Sequence, residues 1–235
     1  MPIRILAFDT TTDLCSVALM INNHIYSNKV IAARKHAEKI LCMIDTLLIE
    51  VGINLKSLDC IIFNRGPGSF VGVRVGISVA QGLALGADLP LVAVSSLEVL
   101  AQGAFRIFST KHVISVIDAQ MGELYWAYYY KLSDCNCWVS YINEFRSKAE
   151  FIAEKLLFFG NLFLGNWGFV GTGWNKYLVL QEINACNEFI LKRSIMYPEA
   201  QDMLLVGMCS WKNKRFITPY QVRPVYLRDL NIIKK

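Results

Sequence analysis

The sequence predicts an α/β protein built of two lobes, and three features of the chain support this. Three apolar segments follow one another near the N-terminus, as in a β-meander. A strand, a glycine-rich helix and a second short strand then span residues 59–94, and the strand pattern begins again at residue 112. A meander followed by strands that alternate with helices is typical of an α/β lobe, and its recurrence indicates a second one.

The first predicted lobe opens with three strands, at residues 4–9, 14–21 and 24–31. Asn22 and Asn23 suit a type I′ turn between the last two strands, because asparagine tolerates positive φ. Apolar residues then recur with helical spacing from Arg34 until Gly52, which suits the C-terminal end of a helix.

A predicted βαβ unit completes this lobe. Residues 59–64 form a buried strand, the glycine-rich helix follows, and residues 91–94 form the next strand. Ser95 and Glu98 have the spacing of a capping box, which predicts a further helix that extends to about Gly103.

The second predicted lobe mixes strands and helices in the same manner. Its elements are strands at 112–118, 123–131 and about 138–143, a helix at 147–157, a strand before Gly171 and a helix with Pro198 in its first turn. No linker or low-complexity tract separates the two lobes.

Composition indicates an ordered globular protein. Hydrophobic residues make up 54% of the 235 residues, which is enough for a packed core. The net charge of +5 permits contact with an anionic partner but is too small to identify a nucleic-acid-binding protein. Asp9 interrupts the N-terminal apolar segment, so we expect no export signal. Charged and amide residues interrupt the stretches 71–101 and 151–173, which argues against a membrane span.

The cysteines indicate a reducing compartment, and we expect the protein to be cytoplasmic. Five of the seven stand alone in apolar surroundings, as reduced thiols do: Cys15, Cys42, Cys60, Cys186 and Cys209. Cys135 and Cys137 form a C-N-C pair that matches neither a zinc knuckle nor a C-x-x-C redox motif.

The segment GPGSFVGVRVGISVAQGLALG at 66–86 continues as a helix, although glycine within a helix costs about 1 kcal/mol relative to alanine. It matches neither the P-loop nor G-x-G-x-x-G. Ser69 suits a helix cap, with an anion at the free N–H groups as the alternative. Small residues four apart let another backbone approach closely, and two interpretations stay open: the strip packs against the protein's own sheet or against a partner.

Seven segments in order along the chain resemble the TsaB (YeaZ) family. They read ILAFDTTTDLCSVAL, ARKHAEKIL, NRGPGSFVGVRVGISVAQGLA, PLVAVSSLEVLA, DAQMGELYWAYY, GTGWNKY and PVYLR. The resemblance is dense from residue 3 to about 130 and continues in short islands to Arg228. Val71 stands where the family usually has threonine.

This resemblance implies a two-lobed actin/Hsp70-like (ASKHA, ribonuclease H-like) fold with a degenerate nucleotide cleft. The first lobe would comprise residues 1–105 with a C-terminal return at 215–235, and the smaller second lobe 106–214. The family acts with the transferase TsaD and the ATPase TsaE in making threonylcarbamoyladenosine (t6A) beside the anticodon of tRNA. A noncatalytic subunit that heterodimerises with TsaD is therefore implied.

The nucleotide motifs of active superfamily members are altered here. Those members carry D-x-G-[ST] in the first hairpin, whereas this chain has threonine at position 11, whose Cβ would obstruct a phosphate. The loop after Asp118 lacks paired glycines, and Glu123 adds a charge of the same sign as phosphate. The candidate residues of a residual nucleotide cleft are Asp9, Thr10, Thr11, Gly171 and Gly173. We expect no cofactor, with ATP or ADP bound only at an interface with TsaD or TsaE. A small ATP-dependent kinase or ATPase that uses the cleft at Asp9 is the alternative.

No catalytic residue or metal ligand is assigned. His36 is followed by Ile40 rather than by the second histidine of the H-x-x-x-H metal motif that the resemblance associates with TsaD. One helical imidazole cannot hold a catalytic metal without other ligands. No G-x-S-x-G elbow occurs either.

The first two helices are the predicted docking surface. Apolar residues outside the main stripe of the first helix indicate a protein partner more often than a small-molecule site. The expected interface residues are His36, Ile40, Met43, Leu47, Gly72, Val75, Gly76, Val79 and Leu83. The same surface would form a homodimer when the chain is alone. Two forms of contact with tRNA stay open: an indirect one through the partner, and a direct one through basic residues near the end of the chain, such as Lys212, Lys214, Arg215 and Arg223.

Overall fold

The structure is a computed structural model that describes residues 3–133, 137–158, 167–186 and 195–227. It contains two β-sheets and six α-helices in these ranges, arranged in alternating layers.

The first sheet has five strands in the spatial order β3-β2-β1-β4-β5. These are β1 (Arg4–Asp9), β2 (Leu14–Ile21), β3 (His24–Ile31), β4 (Cys60–Asn64) and β5 (Leu91–Val94). The first three form an antiparallel meander, and β4 and β5 continue the sheet in parallel with β1. Asn22 and Asn23 have φ of 51° and 70°, which confirms the predicted type I′ turn.

The second sheet repeats most of this topology. Its order is β8-β7-β6-β9, with strands β6 (His112–Gln120), β7 (Glu123–Lys131), β8 (Trp138–Lys148) and β9 (Trp167–Val170). Here too a three-stranded antiparallel meander is followed by one strand parallel to the first, β9 beside β6. The duplicated topology confirms the two-lobed α/β fold expected from the resemblance.

Three hydrophobic clusters separate the layers. Helices α1 (His36–Val51) and α2 (Phe70–Ala87) cover the outer face of the first sheet, and α3 (Ser96–Phe108) and α6 (Ala200–Lys212) lie between the two sheets. The outer face of the second sheet packs against α4 (Ala149–Phe158), with α5 (Leu178–Cys186) beside it. The lobes are therefore joined by a shared middle layer of helices.

Helix α6 lies within the range predicted for the second lobe, but it packs against β1 and β2 of the first sheet. Pro198 precedes the helix instead of occupying its first turn, because Glu199 is the N-cap. After α6 the chain continues along the first lobe, where Ile217 and Leu91 exchange backbone hydrogen bonds of 2.8 and 3.0 Å. Residues 228–235 of the predicted return lie outside the described residues.

Strand β8 is longer than the sequence predicted, and α4 begins correspondingly later, at Ala149. Residues alternate between exposed and half-buried along β8, as expected for a strand at the edge of a sheet. Helix α3 also extends beyond Gly103, to Phe108, because it crosses the interior between the two sheets.

The prediction that Cys209 is a free thiol is wrong. Its sulfur lies at bonding distance from that of Cys137, and the two residues form a disulfide across 72 positions of sequence. Spacing along the chain could not show this pairing, since the fold alone brings α6 beside the start of β8. Among the described cysteines, Cys15, Cys42 and Cys60 are free, as predicted.

Candidate functional site

The start of the hairpin between β1 and β2 is buried, whereas Asp13 is exposed and Thr11, Thr12 and Asp13 line a cleft between the lobes. Asp9, at the end of β1, is fully buried, and its carboxylate accepts hydrogen bonds from the Thr11 backbone N–H (2.6 Å) and the Asn64 amide (2.8 Å). The Thr10 hydroxyl donates to the Gly72 carbonyl oxygen at 2.7 Å. These contacts hold the hairpin against the start of α2.

Burial raises the pKa of Asp9 to about 6, and the hydrogen bonds from Thr11 and Asn64 only partly offset this. The folded protein therefore retains a proton on Asp9 at pH values where the unfolded chain has lost it. The contribution to folding stability is fully present at low pH and is lost as pH rises from about 4 to about 6.

We expect a measurable pH dependence from this carboxyl group. In wild type, the free energy of unfolding should decrease by on the order of 2 to 3 kcal/mol between pH 4 and pH 6 on account of Asp9. Urea denaturation across this range measures the change. Asp9→Asn, which cannot ionise, should show a smaller decrease. An equal decrease in both proteins would contradict the assignment.

The glycine-rich segment lies directly over this hairpin. A Cβ on Gly68 or Gly72 would overlap the carbonyl oxygens of Thr11 and Thr10, and one on Gly76 would lie 2.7 Å from the Thr10 hydroxyl. At Gly72 and Gly76 the strip therefore packs inside the protein, although against the β1–β2 hairpin and not against the face of the sheet. Ser69 caps α2 as predicted, because its hydroxyl accepts from the Gly72 N–H at 3.4 Å.

Gly171 and Gly173 do not join Asp9 at an open phosphate site. A side chain at Gly171 would overlap the Val116 carbonyl oxygen, and one at Gly173 would overlap the Val116 side chain. Both glycines thus allow their loop to pack on β6 of the second lobe. The structure brings Asp9, Thr10 and Thr11 together, with the glycine-rich segment packed on Thr10 and Thr11, and Thr11 also lines the cleft between the lobes.

A cleft of about 830 Å³ lies between the lobes. Its lining includes cationic and aromatic groups that were not among the predicted site residues. The Arg74 guanidinium lies 3.3 Å from the centroid of the Phe70 ring, and Lys176 pairs with Asp118 at 2.5 Å. In the sequence, the feature that could have identified Arg74 as a site residue was its position as a charged residue in an otherwise apolar helix.

The cleft does not fit the phosphates and metal shell of a nucleotide. The Asp9 oxygens that would face metal-bound water are enclosed, and a threonine side chain occupies the position that needs glycine. Glu123, at the second phosphate loop, pairs with Arg146 at 2.7 Å. We therefore derive no chemistry through a nucleotide bound to this chain alone.

The structure places most of the predicted interface residues on the inner faces of the two helices. Six of the nine are buried inside the chain: His36, Ile40, Met43, Leu47, Gly72 and Gly76. The other three, Val75, Val79 and Leu83, are half-buried. The helical pattern located the two helices correctly but selected mainly their inner faces. As a result, a substitution at Gly76 would test folding rather than association.

The outer faces of α1 and α2 nevertheless expose apolar surface. On α1, Leu41 and Ile49 are 52% and 70% exposed, and on α2, Val71 and Leu85 are 66% and 52% exposed. Two small residues of α2, Gly82 and Gly86, are exposed, and a Cβ at either would meet no atom within 4 Å. We call this surface the outer helix face, defined by Leu41, Cys42, Ile49, Val71, Ser78, Gly82, Leu85 and Gly86.

The histidines do not form a metal centre. His36 is buried at the start of α1, where burial lowers its pKa. His112 forms a 2.8 Å hydrogen bond with the Tyr128 hydroxyl. Within the described ranges, no group of three or more His, Cys, Asp or Glu side chains could hold a metal ion.

Helix α2 is the one described helix that is long and apolar enough to cross a membrane. The sequence-based exclusion of this stretch was therefore too strict. Length and composition alone are weak evidence for a membrane-spanning helix, because the core helix of a soluble protein passes the same test. In the structure Val73, Ile77, Ala80 and Ala84 of α2 are buried in the core beside the first sheet.

Comparisons with known proteins agree with the fold. The family model of TsaD, tRNA N6-adenosine threonylcarbamoyltransferase, matches residues 20–229. The chain is 37% identical to the tRNA threonylcarbamoyladenosine biosynthesis protein TsaB of Escherichia coli (strain K12) over 96% of this chain and 95% of that protein. The solved structure of YeaZ from Pseudomonas aeruginosa superposes with a TM-score of 0.83 and 34% identity, covering 96% of this chain and 100% of that one.

A shorter similarity connects the chain with the transferase itself. The tRNA N6-adenosine threonylcarbamoyltransferase of Geobacter sp. (strain M21) is 46% identical over 68 residues. These residues make up 29% of this chain and 20% of that protein. The similarity to the TsaB protein of Escherichia coli, in contrast, extends over nearly the whole length of both chains.

Proposed function

This chain belongs to the TsaB (YeaZ) family, and we propose that it is the noncatalytic subunit that joins TsaD in making t6A on tRNA. TsaB proteins take part in t6A biosynthesis, as does this chain by membership of the family. The match to the TsaB of Escherichia coli covers 95% of that protein, whereas the match to one transferase covers only 20% of it. This difference favours a subunit distinct from the transferase.

The observation that supports the noncatalytic role is the enclosure of Asp9. Asp9 is fully buried and has both carboxylate oxygens in hydrogen bonds with the chain, while the glycine-rich segment packs on the neighbouring Thr10 and Thr11. A carboxylate that must organise metal-bound water in a nucleotide site needs access to solvent or ligand. In the part of the chain that the structure describes, no group of three or more His, Cys, Asp or Glu side chains could hold a metal ion.

Association through the outer helix face is the finer part of the proposal. Two adjacent helices with exposed apolar residues and exposed glycines suit packing against a similar helix pair, because small residues let helices approach closely. A related subunit such as TsaD is the partner that we propose. The same surface would form the homodimer when the chain is alone, so that homodimer and heterodimer compete.

Other members of the assembly follow from this role. TsaE joins the TsaB–TsaD pair, and ATP or ADP binds only where TsaD or TsaE completes a site. Contact with tRNA is indirect, through TsaD, and the protein works in the cytoplasm, not in a membrane.

Reconstitution tests the proposal. The purified chain mixed with purified TsaD should elute as one complex, earlier than either protein alone, and t6A formation on tRNA should require both. A mixture that elutes as two separate proteins would contradict a partner role. So would t6A formation at the same rate without the chain.

Calorimetry with ATP and Mg²⁺ on the isolated chain distinguishes the alternative, a small kinase or ATPase. We expect no binding heat at micromolar ATP. Micromolar binding that Asp9→Ala abolishes would favour the enzyme over the scaffold. A titration of TsaD under the same conditions is the positive control, which shows that the ATP used is able to bind.

A further inference from the structure

The Cys137–Cys209 disulfide joins elements of different layers. Cys137 lies in the connection between β7 and β8, where its carbonyl oxygen accepts from the Leu132 N–H at 3.0 Å. Cys209 lies on α6, which packs against the first sheet. The Cα atoms are 5.9 Å apart, within the range that disulfides span without movement of the backbone. The bond therefore ties the hairpin of the second sheet to the middle helix layer.

Noncovalent contacts hold the same hairpin beneath the disulfide. The buried Gln102 side chain of α3 accepts hydrogen bonds from the Lys131 ammonium at 2.9 Å and from the Trp138 indole N–H at 3.0 Å. The Trp138 ring also packs edge-on against Phe105. Because these contacts do not involve sulfur, the hairpin can stay docked when the bond is reduced.

The chemistry favours this pair over the other described cysteines. Cys15 and Cys60 are buried in the core, and burial raises the pKa of each thiol to about 12, which suppresses the reactive thiolate. Cys42 is exposed on α1, on the opposite side of the first sheet. Cys137 and Cys209 are half-buried, so that a small thiol or disulfide can reach them.

We propose that Cys137 and Cys209 form a redox-sensitive latch that fixes the β7–β8 hairpin on α6. A low-molecular-weight disulfide such as oxidised glutathione closes it. One protein thiolate attacks that disulfide, a mixed disulfide forms, and the second protein thiolate displaces glutathione. The two protein thiols lose two electrons and two protons, and oxidised glutathione is reduced to two molecules of glutathione. Excess glutathione reverses the steps.

The latch acts on the contact between the lobes. Beyond Trp138, strand β8 carries Glu144, which pairs with Arg65 of the first lobe at 3.1 Å. Tyr129 of β7 donates to the same carboxylate at 3.1 Å. When the latch opens, the hairpin loses its covalent link to α6 and keeps its pairing with β6, the Gln102 hydrogen bonds and this ion pair. Local opening at the Cys137 end of the hairpin then becomes more frequent. The fold and the outer helix face are unchanged.

Peptide mapping across a series of glutathione to oxidised glutathione ratios tests the proposal. Wild type should yield a 137–209 linked peptide whose fraction rises and falls reversibly with the ratio. The thermal midpoint should be about 5 to 10 °C higher for the closed form. Cys209→Ser and Cys137→Ser should lose both effects. Cys135→Ser, a cysteine two positions away, is the matched control and should keep them.

Three results would overturn the latch. The first is a folded protein in which no 137–209 peptide forms under oxidising ratios. The second is a cross-link that Cys135→Ser removes and Cys137→Ser does not. The third is a cross-link that stays closed at every ratio, as in a permanent structural disulfide. Hydrogen exchange adds an independent readout: oxidation should increase protection in 123–131 and 138–148 and leave α1 unchanged. Equal protection in both redox states would contradict the proposed effect on the hairpin.

Discussion

Gly82→Arg is expected to weaken association with TsaD by about 100-fold or more without unfolding the chain. Gly82 is exposed on the outer helix face, and a side chain there meets no atom of this protein within 4 Å. In a helix-to-helix contact, however, an arginine would separate the two backbones and place a charge in an apolar interface. Titration calorimetry of the variant with TsaD measures the loss, and circular dichroism checks the fold.

Gly82→Ala is the matched control for this substitution. Both alanine and arginine favour a helix over glycine by up to about 1 kcal/mol, so both variants should be at least as stable as wild type. Only arginine adds bulk and charge, and we expect alanine to bind TsaD within a few-fold of wild type. Tight binding by Gly82→Arg would show that the interface lies elsewhere. Sedimentation of each variant alone should show the same ranking for the homodimer.

Most of the helices and strands could be predicted from local patterns, because those patterns have local causes, although α5 (Leu178–Cys186) was not predicted. Asn22-Asn23 fixes a type I′ turn, and Gly52 ends α1 at φ 71°. The outer limits of β8 and α3 could not be predicted, since β8 pairs with β7 beyond Asn143 and α3 is stabilised by burial between two sheets. Such support comes from residues that are distant in sequence.

The candidate site shows the same limit. Gly72, Gly76, Gly82 and Gly86 look alike in the sequence, yet the first two pack on Thr10 and the last two face open space. The spacing of small residues predicts that another backbone segment packs closely against the helix, but it does not indicate which face of the helix is contacted. The direction depends on where the β1–β2 hairpin lies, which the sequence does not show. Most of the predicted interface residues therefore proved to be interior.

Gly72→Ala is expected to destabilise the folded chain by about 3 kcal/mol or more. The added Cβ would overlap the carbonyl oxygen of the buried Thr10, which belongs to the backbone and cannot rotate away. Either the hairpin or the start of α2 must move. Movement would also strain the hydrogen bond from the Thr10 hydroxyl to the Gly72 carbonyl. Urea denaturation measures the change in the free energy of unfolding.

Gly86→Ala gives the comparison for this change, because its Cβ meets nothing within 4 Å and the helix should gain up to about 1 kcal/mol. The same substitution should thus have opposite signs at two positions of one helix. If Gly72→Ala instead kept its unfolding free energy and lost TsaD, the inner strip would be the contact surface, and the outer helix face would not. If the two substitutions have opposite signs and Gly86→Ala still binds TsaD, the cost of Gly72→Ala arises inside the chain, where Gly72 lets the helix pack closely on Thr10.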